Sequence, residues 1–206
     1  MFTDFFENLK IELKKDLPGI KAQIKMAPSV RSHFKTDKES TKAGVLLLLY
    51  PKENDLYIAF IQRTEYNGPH SGQISFPGGK KEKSDKNIIE TALRESQEEV
   101  GINPEHVEVI GELTPLHIPI SNFIVYPVVG IYNSTPKFKI DPTEVERIIE
   151  IKINDFKNPE NCNSKEFKYG DLSFTAPIYN PNNITIWGAT AMILCEFLDI
   201  LRKNKD

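Results

Sequence analysis

The stretch from Gly78 to Ile102 leaves the chain the least freedom. It places a glycine pair, Gly78-Gly79, ahead of a helix expected over about Lys86 to Val100. Ile89, Ala92, Leu93, Ser96 and Val100 fall on one stripe of that helix. The small members of the stripe allow close packing onto a sheet. Ser84 or Asp85 is placed to cap the start, and Gly101 to close the end. Glu95, Glu98 and Glu99 lie largely off the stripe. Positions three and four apart share a helix face, so these three carboxylates converge on one patch. Unneutralised, they would repel each other. Clustered oxygens of this kind suit a hard divalent cation such as Mg²⁺, and a cation there suits a substrate carrying phosphates. The plainer alternative is a solvated acidic face, the common fate of a charge run.

Around this stretch the pattern is that of a mixed α/β layer. Gly44 to Tyr50 is a continuous apolar run, as expected of a buried strand, and Leu56 to Ile61 makes a hairpin partner. Asn67 to Gly72 is a loop by composition, and Gln73 to Phe76 a short strand halted by Pro77. Further strands are expected at about Val107 to Leu113, Ile124 to Tyr132 and Ile148 to Ile153, with a loop from Pro115 to Phe123. Lys168 to Leu172 is a turn between two short strands. A final helix, Gly188 to Arg202, carries an apolar stripe of Ala191, Leu194, Cys195, Leu198 and Leu201. Strands before a helix, more strands and a closing helix give a sandwich of mixed α/β class. Ahead of it, Phe2 to Lys15 has helical spacing ended by Pro18-Gly19, followed by a polar linker or arm to about Thr41.

Composition narrows the function classes. A net charge of −3 leaves no basic footprint for broad nucleic-acid binding, and no apolar run approaches a membrane span. Cys162 and Cys195 lie outside any metal-ligand spacing and read as reduced thiols. The N-terminus has acids and aromatics where a signal peptide has basic and then apolar residues, so a cytoplasmic protein is the default expectation.

Gly79 to Ile102 resembles the Nudix box, the signature of hydrolases that cleave nucleoside diphosphates linked to another moiety. Its second half stands as Arg94-Glu95-Ser96-Gln97-Glu98-Glu99-Val100-Gly101-Ile102. In the first half Asp85 replaces a glutamate, the spacing to Arg94 is one residue longer, and Ser96 replaces an aliphatic. These departures resemble the coenzyme A pyrophosphatase-like branch of that superfamily. The branch has a second signature upstream, which this chain carries as Arg63-Thr64 and then His70-Ser71-Gly72-Gln73-Ile74-Ser75-Phe76-Pro77-Gly78-Gly79. Thr64 and Gly68 depart from it, and Ile186-Trp187-Gly188-Ala189-Thr190-Ala191 is similar to the branch.

The resemblance implies a Nudix-type α/β/α sandwich with a mixed sheet and a catalytic loop-helix, over residues 43–206, preceded by an N-terminal helical arm, 1–42. It implies Mg²⁺ or Mn²⁺ held by Glu95, Glu98, Glu99 and the Gly79 carbonyl. Arg94 and Asp85 would form a structural ion pair that orients the helix, where the alternative is a cap and a surface cation. The base would be Glu98 within the box or Glu144 outside it, with Glu146 a weaker candidate. Arg63, His70, Gly72, Gln73, Gly78 and Gly79 would bind substrate or shape its loop. The implied substrate is coenzyme A or a derivative, cut to 3′,5′-ADP and 4′-phosphopantetheine. ADP-ribose, a dinucleoside polyphosphate and another nucleoside diphosphate derivative are the alternatives. A non-catalytic nucleotide-binding module is a rival of another class. The Phe2, Phe5 and Phe6 face reads as a helix's core side or as a homodimer contact.

Overall fold

The computed structural model describes residues 2–30, 39–65, 70–170 and 172–203. Asn67 to Pro69, the first half of the expected loop, therefore lie outside the described residues, as do Asp171 of the expected turn and part of the arm, 31–38.

The organising element is strand β1, Thr41–Lys52. Its continuous apolar run follows from cover on both faces. Leu46, Leu48 and Tyr50 pack with Ala92 and Val100 of helix α3 (Ile88–Val100), while Leu47 and Leu49 join the cluster holding Ile193, Leu194 and Phe197 of helix α4 (Gly188–Lys203). Successive side chains of a strand point to opposite faces, so one run feeds two cores. At Gly44 a Cβ would lie 2.7 Å from the Ile88 carbonyl oxygen and 3.0 Å from the Ala92 nitrogen. The missing side chain is what lets the first turn of α3 settle on the strand.

Strand β2 (Asp55–Arg63) pairs antiparallel with β1, and strand β3 (Ile74–Ser75) with β2. The glycine turn itself forms a short strand β4, Gly78–Lys80, antiparallel to β1. Strand β5 (Val107–Glu112), the three-residue β6 (Leu116–Ile118) and β7 (Phe123–Tyr132) follow, with β7 parallel to β1 and antiparallel to both β5 and β6. The expected loop of Pro115 to Phe123 thus contains a strand. Strand β8, Val145–Lys152, begins three residues earlier than Ile148 and pairs with β2. Strands β9 (Cys162–Tyr169) and β10 (Leu172–Tyr179) are eight residues each, longer than the short pair expected, and with β11 (Ile186–Trp187) form a second sheet. Cross-strand pairing of aromatics sustains them despite the polar sequence of β9: Phe167 lies opposite Phe174, ring centroids 5.8 Å apart.

The N-terminal arm is packed onto the core. Phe6 and Leu9 of helix α1 (Thr3–Glu12) and Leu13 are buried in the cluster built on α4, with Phe2 and Phe5 against its edge. The aromatic face is therefore used by the chain's own core. A second short helix, α2 (Ile20–Gln23), is tied by Glu196 of α4, which is fully buried. One carboxylate oxygen of Glu196 accepts from the backbone N–H groups of Gly19 (3.1 Å) and Thr114 (3.3 Å) and from the Thr114 hydroxyl (2.7 Å). The other accepts from Gln23 Nε2 at 2.8 Å. Among the described residues, no helix is long and apolar enough to cross a membrane.

Candidate active site

The site grows from the glycine turn. Register places Val45 opposite Gly78 and Gly44 opposite Gly79, which fastens the turn to the central strand. Gly78 has φ 145°, and a Cβ there would lie 2.3 Å from the Gly44 carbonyl oxygen. A Cβ at Gly79 would lie 2.3 Å from Glu95 Oε2, so only glycine lets the Glu95 carboxylate lie against this backbone.

The three carboxylates of α3 do not share one patch. Glu99 turns inward, its side chain 2% exposed; one oxygen accepts from the Gly78 N–H at 2.8 Å and the other stands 3.4 Å from the Arg63 guanidinium. Helical spacing put Glu99 off the packed stripe, but the Gly78 turn covers it. Burial pushes its carboxyl up to about 7, the nearby charges of Glu95 and Glu144 add to this, and the Gly78 N–H and Arg63 oppose it. Glu95 is also raised, chiefly by burial, with Arg94 opposing. Glu98, 59% exposed, turns instead to Arg94 at 2.8 Å.

Arg94 is the hub that divides them. Its Nε and Nη2 meet the two oxygens of Asp85 at 2.9 and 3.1 Å, and Nη2 also reaches Glu95 at 2.9 Å and the Lys80 carbonyl at 3.1 Å. Asp85 accepts further from the Glu82 N–H (2.8 Å) and the Thr91 hydroxyl (3.0 Å). Arg94 and these bonds hold its carboxyl well below the usual carboxylate range, against the cost of burial. Asp85 does not cap α3. Its side chain is committed to Arg94 and Thr91, and Asn87 accepts from the Glu90 N–H at 2.9 Å instead, while Glu90 accepts from the Lys86 N–H at 2.8 Å.

Glu144, just ahead of β8, faces the same cavity as Glu95 and Glu99. The loop that carries it hangs from the last turn of α3: the Asp141 N–H donates to the Glu99 carbonyl at 2.9 Å and the Lys139 N–H to Val100 at 3.0 Å. The Glu144 N–H in turn donates to Asp141 at 3.2 Å. Glu146 points elsewhere and accepts from Gln62 at 2.8 Å.

The cavity holds about 630 Å³ and has two characters. At the turn it is lined by Glu95, Glu99, Glu144, Arg63, His70 and Gln73; away from it come Val30, Ile118, Phe123, Phe174 and Trp187. His70 sits at φ 69° with its ring nitrogens 3.1 Å from Gln73 Oε1 and 3.2 Å from Ser121 Oγ. Of the residues expected here, Glu98, Asp85, Arg94 and Gly72 do not line this cavity. Gly72 borders a neighbouring depression, and its N–H reaches the Thr64 carbonyl at 3.3 Å. The aromatic wall of Phe167 and Phe174 and the arm residues Pro28 and Val30 were not expected in it. The pairing of two aromatics about Gly170 was the signal for the former; the latter is set by the Ser29 N–H donating to the Thr175 carbonyl at 3.0 Å, which no local pattern encodes.

Among the described residues, no three acidic, histidine or cysteine side chains stand close enough to enclose an ion as placed. The donor set nevertheless fits a hard cation. Three carboxylates face one cavity, two of them are raised by burial, and the glycine backbone beside Glu95 is bare of side chain.

Comparison with known proteins agrees with this architecture. The family model described as NUDIX domain matches residues 40–168. The chain is 34% identical over 198 residues to "Nudix hydrolase 22, chloroplastic" of Arabidopsis thaliana, covering 90% of this chain and 61% of that protein. It is 48% identical over 135 residues to "Uncharacterized Nudix hydrolase NudL" of Pectobacterium atrosepticum, covering 65% and 66%. The match thus spans less than two thirds of these relatives' own length. Among solved structures, a MutT protein from Methanosarcina mazei Go1 superposes with a TM-score of 0.53 at 15% identity, over 84% of this chain and all of that one. That likeness is one of fold. With the family model spanning more than half of the sequence, the chain belongs to the Nudix family.

Proposed function

We propose that this protein is a metal-dependent pyrophosphohydrolase that hydrolyses coenzyme A or a derivative to 3′,5′-ADP and a 4′-phosphopantetheine. The observation that carries the proposal is the two-character cavity: carboxylates and a bare glycine turn at one end, an apolar and aromatic wall at the other. A pyrophosphate needs the first, and a long, weakly polar thiol arm needs the second. The upstream residues Arg63, His70 and Gln73, on which the resemblance to the coenzyme A branch rests, line the same cavity.

Mg²⁺ or Mn²⁺ would be held by Glu95, Glu99 and the Gly79 carbonyl, with Glu98 recruited from Arg94. Such a cation, when bound, neutralises phosphate oxygens and makes water a better nucleophile. The chain's own groups do the positioning. Arg94 and Asp85 hold the first turns of α3 against the loop from the glycine turn, and Arg63 keeps a positive charge beside Glu99. Attack forms a bond from the water oxygen to one phosphorus and breaks the anhydride P–O bond; the water's proton passes to a carboxylate base, and the departing phosphate takes the bond's electrons. Glu144 is the base in this reading, because it faces the cavity while Glu98 would be taken up by the cation.

The test is a substrate panel with and without Mn²⁺, read by product mass. It should contain coenzyme A, ADP-ribose and a dinucleoside polyphosphate. Coenzyme A turnover that depends on the metal supports the proposal. An enzyme that leaves coenzyme A intact while cutting another member refutes the substrate. Nucleotide binding without metal-dependent turnover refutes the activity.

A further inference from the structure

Behind the aromatic wall lies a second depression, of about 270 Å³, lined by Gln62, Arg147, Lys165, Asn183 and Thr185 among others. None of its described lining residues is acidic, in a chain with net charge −3 and beside a cavity faced by three carboxylates. The two spaces share Gln73, Ile74, Phe167 and Trp187. Phe167 and Trp187 are stacked with centroids 4.2 Å apart, so this pair is the partition between them.

The strands dictate the grouping. Gln62 of β2 is the cross-strand partner of Ile74 on one side and of Arg147 on the other, and such partners share a sheet face. Lys165 and Phe167 are two apart on β9 and so share a face as well. Where the two sheets meet, both cations border one hollow. Gln62 steadies the guanidinium by accepting from Arg147 Nε at 2.8 Å, and uses its own amide nitrogen on Glu146 at 2.8 Å. Glu146 is thus bonded to Gln62 and is not among the described lining residues. The Lys165 ammonium lies 6.0 Å from the Phe167 ring centroid, on the aromatic partition itself.

We infer that this depression is a subsite for a phosphomonoester on the nucleoside half of the substrate. Resting on the coenzyme A reading above, the group would be the phosphate on the ribose of the 3′,5′-ADP half. Arg and Lys are the side chains that recognise a phosphate dianion. A pyrophosphate at the glycine turn and a second phosphate across the partition would be read by one enzyme at two separated points. Substrates lacking that second phosphate would be distinguished here.

The experiment compares coenzyme A with 3′-dephospho-coenzyme A as substrates, and adenosine 3′,5′-bisphosphate with AMP as metal-free ligands in calorimetry. The proteins are the wild type and Arg147→Ala/Lys165→Ala. The wild type should favour each 3′-phosphorylated compound by tenfold or more, and the double variant should bring both ratios close to one. A wild type without preference, or a variant that loses both members of each pair equally, overturns the subsite. If neither coenzyme A form is cut but the bisphosphate is preferred and the variant abolishes that preference, the subsite stands and the substrate proposal falls. If coenzyme A is cut with no preference over its dephospho form, the substrate proposal stands and the subsite falls.

Discussion

Glu196→Ala should be among the most damaging single substitutions in this chain, although the residue does not line the cavity at the glycine turn. Glu196 is fully buried and accepts from four donors. Gln23 Nε2 keeps a second acceptor in the Thr114 carbonyl at 2.8 Å, and the Thr114 hydroxyl can rotate. The backbone N–H groups of Gly19 and Thr114 have no such recourse. An orphaned buried donor costs about 1–3 kcal/mol, so two cost roughly 2–6. Water entering the space left by truncation recovers part of this, and a net loss of about 3–4 kcal/mol is expected. Glu196→Gln keeps one oxygen for three of the donors and sets an amide N–H against Gln23 Nε2, so it should lose only about 1–2 kcal/mol. Urea unfolding of the three proteins gives the comparison. Limited proteolysis should cut the alanine variant first between α1 and α2, because Glu196 fastens the chain at Gly19. A loss under 1 kcal/mol for the alanine variant, or equal losses for both, would refute the reasoning.

In metal-free protein kept in chelator, Glu99→Gln should stabilise above about pH 7, by up to roughly 3 kcal/mol, and the gain should vanish by about pH 4.5. The folded carboxyl is raised to about 7 by burial, so the native state binds the extra proton and wild-type stability falls as pH rises through that window; denaturant melts across pH measure it. Asp85→Asn weakens the bonds to Arg94 and should cost about 1–3 kcal/mol at pH 7. The folded carboxyl is depressed, so this cost should shrink as pH falls below the ordinary aspartate range, and a flat difference would count against the ion pair. Gly44→Ala forces a Cβ to 2.7 Å from a helix carbonyl and should lower the melting temperature by several degrees, about 1–3 kcal/mol of overpacking; an unchanged melt would mean α3 does not rest on β1 as described.

What could be read from the sequence was mostly local. The glycine turn, the span of α3 and the closing helix are carried by neighbours within a few positions. The burial of Glu99 was not legible, because the cover comes from Gly78, twenty-one positions away in the chain. The length of the second sheet's strands is hard to read locally because its pairing rests on aromatics facing across a turn, one of them inside the charge-bearing β9. Glu196 did leave a trace. Met192, Ile193, Phe197 and Ile200 are buried along with the apolar stripe, so α4 is hydrophobic on nearly every side. A carboxylate within such a helix must find donors. The donors themselves, in Gly19 and Thr114, are set by the tertiary fold alone.

The hydrogen bond from the Asp141 N–H to the Glu99 carbonyl ties two segments that belong to different parts of the chain. Together with the Lys139 N–H bond to Val100, it anchors the loop bearing Glu144 to the helix bearing Glu95 and Glu99. The acids of helix and loop are then carried on one support, and what a cation must still draw together is their side chains, which do not enclose an ion as placed among the described residues. A ligand entering between them has little loop to immobilise, and most of the ordering entropy has been spent in folding. Association at this end of the cavity should accordingly proceed without a slow closing phase of the loop, and weakening either strap should surface first as an entropic penalty on binding.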